Sequence, residues 1–153
     1  MFYSEHLSKR TFALEALERE GRLDLVTTNR TLITLRQISE KIASGQFGEG
    51  WELMTRLDLL PLSRAELETK RSRYNNLDPL VQQAFPFLLG TAMEFLYEEH
   101  RRVKSTLRDS SPVVHARLAE LQEMAGLLYK FAGLTNMPDS TKEVISRKEA
   151  QML

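Results

Sequence analysis

The sequence predicts an all-α fold, and three observations carry that prediction. Leucine occurs 25 times, against 10 valines and isoleucines together, and γ-branched chains suit helices as β-branched ones suit strands. Nowhere do four or more residues alternate cleanly between apolar and polar, which is the mark of a half-buried strand. Serine, asparagine, proline and glycine fall where helices would start and stop. Together these predict about seven antiparallel helices joined by short connections. The 153 residues are the size of one ordinary domain, so residues 1–153 are expected to form a single helical domain.

The first helix is expected from about Ser4 to Glu20, with Ser4 as N-cap and Gly21 as its stop. Tyr3, Leu7, Leu14 and Leu17 share one face, and Phe2 and Phe12 fall off it. A second helix follows Thr28-Asn29, carries Leu32, Leu35, Ile38 and Ile42 on one stripe, and ends at Gly45. The stretch from Gly45 to Gly50 reads as a flexible turn into a short third helix bearing Trp51, Met54 and Leu57, which Pro61 interrupts. Ser63 and Glu66 have capping-box spacing ahead of a fourth helix running to about Asn76.

Asp78-Pro79 reads as an N-cap followed by proline at N1, where the missing N–H costs nothing. The fifth helix, Pro79 to about Thr106, is the most apolar. Leu80, Ala84, Phe87, Leu88, Ala92, Phe95 and Leu96 are its expected core residues, and Pro86 is expected to kink or split it. Ser111-Pro112 opens a sixth helix by the same cap-plus-proline logic. Val114, Leu118, Leu121, Ala125, Leu128 and Ala132 form its packing seam, Leu127, Phe131 and Leu134 a second stripe, and Gly133 its expected C-cap. A second capping box, Ser140 with Glu143, leads a short last helix holding Val144, Ile145 and Met152.

Charge is balanced, with 21 basic and 21 acidic side chains. Counted from the sequence, 12 basic and 11 acidic lie through Asn76, then 9 and 10 from Leu77 onward. Neither half carries the excess a nucleic-acid surface would show, so direct nucleic-acid binding is disfavoured. The absence of cysteine removes disulfides, thiolate metal sites and thiol nucleophiles together. The chain opens without a basic start and apolar run, so no secretory signal is expected. The longest apolar stretch, Ala84 to Met93, falls well short of the roughly 20 residues a membrane span needs.

No chemistry stands out. His6, His100 and His115 are scattered, and none lies three residues after a glutamate. A metal site from His100 with Glu98 or Glu99 competes with a solvated, charged helix end, and the latter is the reading adopted. Gly45, Gly48 and Gly50 do not match the dinucleotide fingerprint. Glu94 and Glu98 share a helix face, yet Glu94 is expected to point outward and Glu98 to pair with Arg101 or Arg102. The basic clusters at Lys70 to Arg73 and Arg101 to Arg108 lack an interleaved aromatic platform. No catalytic, cofactor-binding or metal-binding residue is therefore expected. Aromatic residues are the better lead, because such anchors dominate protein interfaces. Phe47 and Trp51 are candidate interface residues, and Tyr74 draws notice on a helix with few apolar neighbours. Phe2, Tyr3 and Phe12 are candidates for self-association through the amino-terminal helix.

The segment Arg56-Leu-Asp-Leu-Leu-Pro-Leu-Ser-Arg-Ala-Glu66 follows a helix, a glycine turn and a short helix. It is followed by Phe95-Leu-Tyr-Glu-Glu-His-Arg-Arg-Val-Lys104, Leu127-Leu-Tyr-Lys-Phe-Ala-Gly-Leu-Thr-Asn-Met-Pro138 and the terminal Glu149-Ala-Gln-Met-Leu153. In this order the segments resemble the carboxy-terminal part of a scaffold nucleoporin family, nucleoporin ninety-three in animals and nucleoporin-interacting component ninety-six in fungi. The resemblance covers about Leu35 to Leu153. It implies the C-terminal slice of an α-solenoid in the inner ring of the nuclear pore complex, a scaffold with other inner-ring nucleoporins as partners, without cofactor or catalysis. The short loop from Thr106 to Ser111 favours a fungal-type member. The competing classes are a helical adaptor of a vesicle coat or tethering complex, and a small ligand-binding or enzymatic bundle.

Overall fold

A computed structural model describes residues 26–106 and 111–152, and every regular element among them is helical. In chain order these are α1 (Val26–Ala43), α2 (Phe47–Arg56), a 3-10 turn (Arg64–Glu66), α3 (Leu67–Asn75), α4 (Pro79–Ser105), α5 (Pro112–Leu134) and α6 (Asp139–Gln151). The expected first helix, with Phe2, Tyr3 and Phe12, lies outside the described residues. By contacts the chain divides into two compact units. Of the described residues, one holds 26–59 together with Asn76–Leu88, and the other holds Leu60–Asn75 and those from Leu89 onward.

In the first unit, Leu32, Leu35, Ile38 and Ile42 are all buried along one stripe of α1, as the spacing predicts. Thr28 and Asn29 lie within the described helix, not ahead of it. Gly45 closes α1 in a left-handed conformation at φ 80°. Its N–H donates to the Ile42 carbonyl at 3.1 Å and the Gln46 N–H to the Lys41 carbonyl at 2.8 Å, a Schellman ending.

The expected turn from Gly45 to Gly50 is shorter than the glycines suggest, because α2 already begins at Phe47. Gly50 is a packing residue: a Cβ there would lie 2.8 Å from Ile42 Cδ1 on α1. Lys41 and Glu49 pair at 2.9 Å across the same α1–α2 contact. Pro61 does not end this helix either. α2 stops at Arg56, and Asp58 turns the chain at φ 53°. Asp78 caps α4 as expected, its carboxylate accepting the Leu80 N–H at 2.9 Å. Pro86 does not split α4, which runs through it. Phe85, Phe87 and Leu88 around it are at most 1% exposed, and that burial offsets the one lost hydrogen bond.

In the second unit, Ser63 and Glu66 meet but do not form a capping box. The Ser63 hydroxyl donates to Glu66 Oε1 at 2.7 Å instead of holding a backbone amide, and a 3-10 turn precedes α3. Leu89, Ala92, Met93 and Leu96 of α4 are fully buried, whereas Phe95 is half-buried. On α5, Leu121, Ala125, Leu127, Leu128, Phe131 and Ala132 are buried, and α5 packs on both α3 and α6. Gly133 is not the C-cap. The helix runs on to Leu134 and is closed by Thr135, whose hydroxyl donates to the Ala132 carbonyl at 3.3 Å. The second capping box also fails to form, because α6 starts at Asp139 and encloses both Ser140 and Glu143. Glu143 pairs instead with Arg147 at 3.1 Å, one turn along the same face.

Candidate interaction surfaces

Of the residues singled out on α2, Phe47 is 38% exposed and Trp51 is half-buried. They lie four residues apart, so one helix face carries both. Tyr74 is a core residue and not a surface anchor. It is buried edge-on to Phe131 with ring centroids 5.8 Å apart, and its hydroxyl donates to Asn136 Oδ1 at 2.8 Å. Burial pushes the Tyr74 phenol pKa up.

The polar end of α4 also differs from expectation. Glu98 pairs with Arg101 at 2.9 Å and Glu99 with Arg102, as the i, i+3 spacing indicates. His100, however, is only 5% exposed. Gln122 of α5 places its amide nitrogen 3.2 Å from His100 Nε2 and donates to the Met152 carbonyl at 2.7 Å. Desolvation by this burial, then the nearby Lys104 charge, lowers the His100 pKa below its ordinary value. The Gln122 amide thus ties His100 of α4 and the end of α6 to α5. Glu94 does not point outward: Lys148 of α6 reaches it at 3.3 Å while standing 4.1 Å over the Tyr97 ring. Lys70, read from the sequence as part of a basic cluster, is 3% exposed with Glu66 Oε2 3.7 Å away.

A surface the sequence reading missed lies between the last turns of α5 and the first turns of α6. It is an open groove of about 370 Å³, with Tyr129, Lys130 and Gly133 on one wall and Lys142, Glu143 and Ser146 on the other. Tyr129 is 45% exposed, and Leu134, just beyond, is 47% exposed. The available signal was Tyr129 itself, an aromatic that falls on neither apolar stripe of its helix.

Phe47, Tyr129 and Leu134 are thus large side chains left exposed on a leucine-rich helical frame. Among the described residues, no helix is long and apolar enough to cross a membrane, and no three acidic or histidine side chains cluster as a metal site would need. Comparison with known families gives a match to Nup93/Nic96 over residues 5–144. The chain belongs to the Nup93/Nic96 family. It is similar to the nuclear pore complex protein Nup93 of Danio rerio, 23% identical over 128 residues that cover 76% of this chain and 16% of that protein. The chain thus spans about a sixth of that relative's length. Membership in the Nup93/Nic96 family makes this a nucleoporin sequence, with its place at the nuclear pore complex of the nuclear envelope.

Proposed function

We propose that this chain is a structural scaffold component of the inner ring of the nuclear pore complex, acting through protein–protein contacts that shape the route for nucleocytoplasmic transport. The Nup93/Nic96 match across residues 5–144 carries this reading. The leucine-rich helical build supports it, since stacked helices bury their stripes against neighbours and leave their outer faces for partners. The family points to a structural protein without a catalytic centre. Its partners are other inner-ring nucleoporins, which Phe47 and Trp51 help to contact. Residues 1–153 act as one helical domain, a slice of a longer α-solenoid. Self-association runs through Phe2, Tyr3 and Phe12.

A fluorescently tagged copy expressed in cells whose pores are marked tests the proposal. Rim fluorescence coincident with the marker, and co-purification of inner-ring nucleoporins that falls on Trp51→Ala, support it. Diffuse fluorescence without rim enrichment overturns it. Sedimentation across a concentration series tests self-association, which Phe12→Ser should abolish; a strict monomer at every concentration removes that element.

A further inference from the structure

We infer that the α5–α6 groove is a docking site for an acidic segment of a partner protein, one that carries a large apolar side chain flanked by carboxylates. The walls supply the apolar part. Tyr129 leaves 45% of its surface open although its helix neighbours Leu128 and Phe131 are fully buried. Gly133 offers no side chain, and a Cβ built there would meet nothing within 4 Å. A partner backbone can therefore come close at that point. The volume, about 370 Å³, admits one or two large side chains, which suits a short segment better than a domain face.

Charge decides the kind of segment. Other cations of α5 and α6 have acidic partners: Arg147 with Glu143 at 3.1 Å beside the groove, and away from it Lys148 with Glu94 at 3.3 Å and Arg117 with Glu120 at 3.0 Å. Lys130 and Lys142 differ from these three. Neither makes an ion pair among the described residues, and both line the groove. One turn away on α5, Lys130 has only Gly126, Leu127, Gly133 and Leu134 as neighbours, so its own helix provides no carboxylate. Lys142 has Asp139 one turn earlier on α6 without pairing to it. The carboxylate that lines the groove, Glu143, is already held by Arg147. Two lysines without an ion pair among the described residues thus flank an apolar recess. An acidic segment meets complementary charge there and a basic one meets repulsion, which sets partner choice and register while the apolar anchor supplies affinity. The inference rests on the scaffold reading only in taking the occupant to be a protein, and its test measures the groove without reference to the pore.

The full chain, labelled with nitrogen-15, is titrated with two synthetic twelve-residue peptides. One carries a central Phe-Leu anchor flanked by glutamates; in the other every glutamate is lysine. Amide shifts should move at Tyr129, Gly133, Lys142 and Ser146 with the acidic peptide and not with the basic one. The double variant Lys130→Glu with Lys142→Glu should weaken the acidic peptide by about tenfold or more and admit the basic one. Gly133→Leu, which favours helix and fills the wall, should block the acidic peptide while leaving the helical circular dichroism intact. The inference is overturned by equal binding of the two peptides, by shifts that map elsewhere, by no binding of either at millimolar concentration, or by the same amides shifting on dilution of the chain alone, which would make a second copy the occupant.

Discussion

Replacing Gly50 by alanine isolates what the glycine does. The new Cβ would stand 2.8 Å from Ile42 Cδ1, 3.4 Å from Ile42 Cγ1 and 3.8 Å from Lys41 Cβ. Carbon atoms in good contact sit about 3.5–4.0 Å apart, so the first of these is an overlap of roughly 0.7 Å. Ile42 is 4% exposed, so its terminal methyl must rotate away within a buried site. Overpacking of that kind costs about 1–3 kcal/mol, whereas alanine gains up to about 1 kcal/mol over glycine in a helix. The net expectation is a loss of up to about 2 kcal/mol, or roughly 2–4 °C of melting temperature per kcal/mol at this chain length. Ile42→Val removes the offending methyl and alone costs about 0.5–1.5 kcal/mol. In that background Gly50→Ala should turn favourable, a coupling of about 1–3 kcal/mol in a double-mutant cycle. Gly48→Ala is the control, because a Cβ there meets nothing within 4 Å. Urea unfolding followed by circular dichroism reads all four variants. If Gly50→Ala stabilises the chain as Gly48→Ala does, irrespective of residue 42, close helix approach is not the reason for this glycine.

Three further outcomes are expected. His100 has a lowered pKa in the fold, so below pH about 6.5 the unfolded chain binds the proton first and stability falls as pH drops towards the folded value; His100→Gln should remove that slope, and an identical pH profile for both proteins would refute the placement. Thr91 is 1% exposed and its hydroxyl finds no hydrogen-bond partner among the described residues, so Thr91→Val should stabilise by about 1 kcal/mol; a loss of similar size in urea unfolding would reveal an unseen partner. Lys148→Ala removes a half-buried pair with Glu94 and the contact over Tyr97 and should cost about 1–2 kcal/mol, against less than about 0.5 kcal/mol for Arg147→Ala on its exposed pair; equal losses would contradict the geometry.

Much of the fold was legible because helix formation is largely a matter of spacing and punctuation within a few residues. The stripe Leu32, Leu35, Ile38 and Ile42, the seam through Leu121, Ala125, Leu128 and Ala132, and the Asp78-Pro79 cap all stand where the sequence puts them. The failures share a cause. The Ser63–Glu66 and Ser140–Glu143 spacings indicate that the side chains can meet, but not whether the backbone amides are free to receive them. In the first case the side chains bonded each other, and in the second the helix had already begun at Asp139.

The surfaces divide in the same way. Phe47 and Trp51 were visible as aromatics, although nothing in their spacing distinguishes exposed from buried. His100 looked solvated because its sequence neighbours are charged, and it is buried because Gln122, 22 residues on, covers it. The groove joins Tyr129 and Lys130 to Lys142 and Ser146 on another helix, so no local pattern could announce it.

The sequence by itself determined the all-α class, the helix stripes, most of the boundaries and the family, since each depends on residue type, on spacing within a turn or two, or on the order of segments along the chain. Only the tertiary structure decided that Gly50 is a contact and not a turn, that Glu94 faces Lys148, and that Lys130 and Lys142 share one groove. Each depends on which helix comes to lie beside which, and that is set by how buried faces fit together in space, which no local spacing encodes.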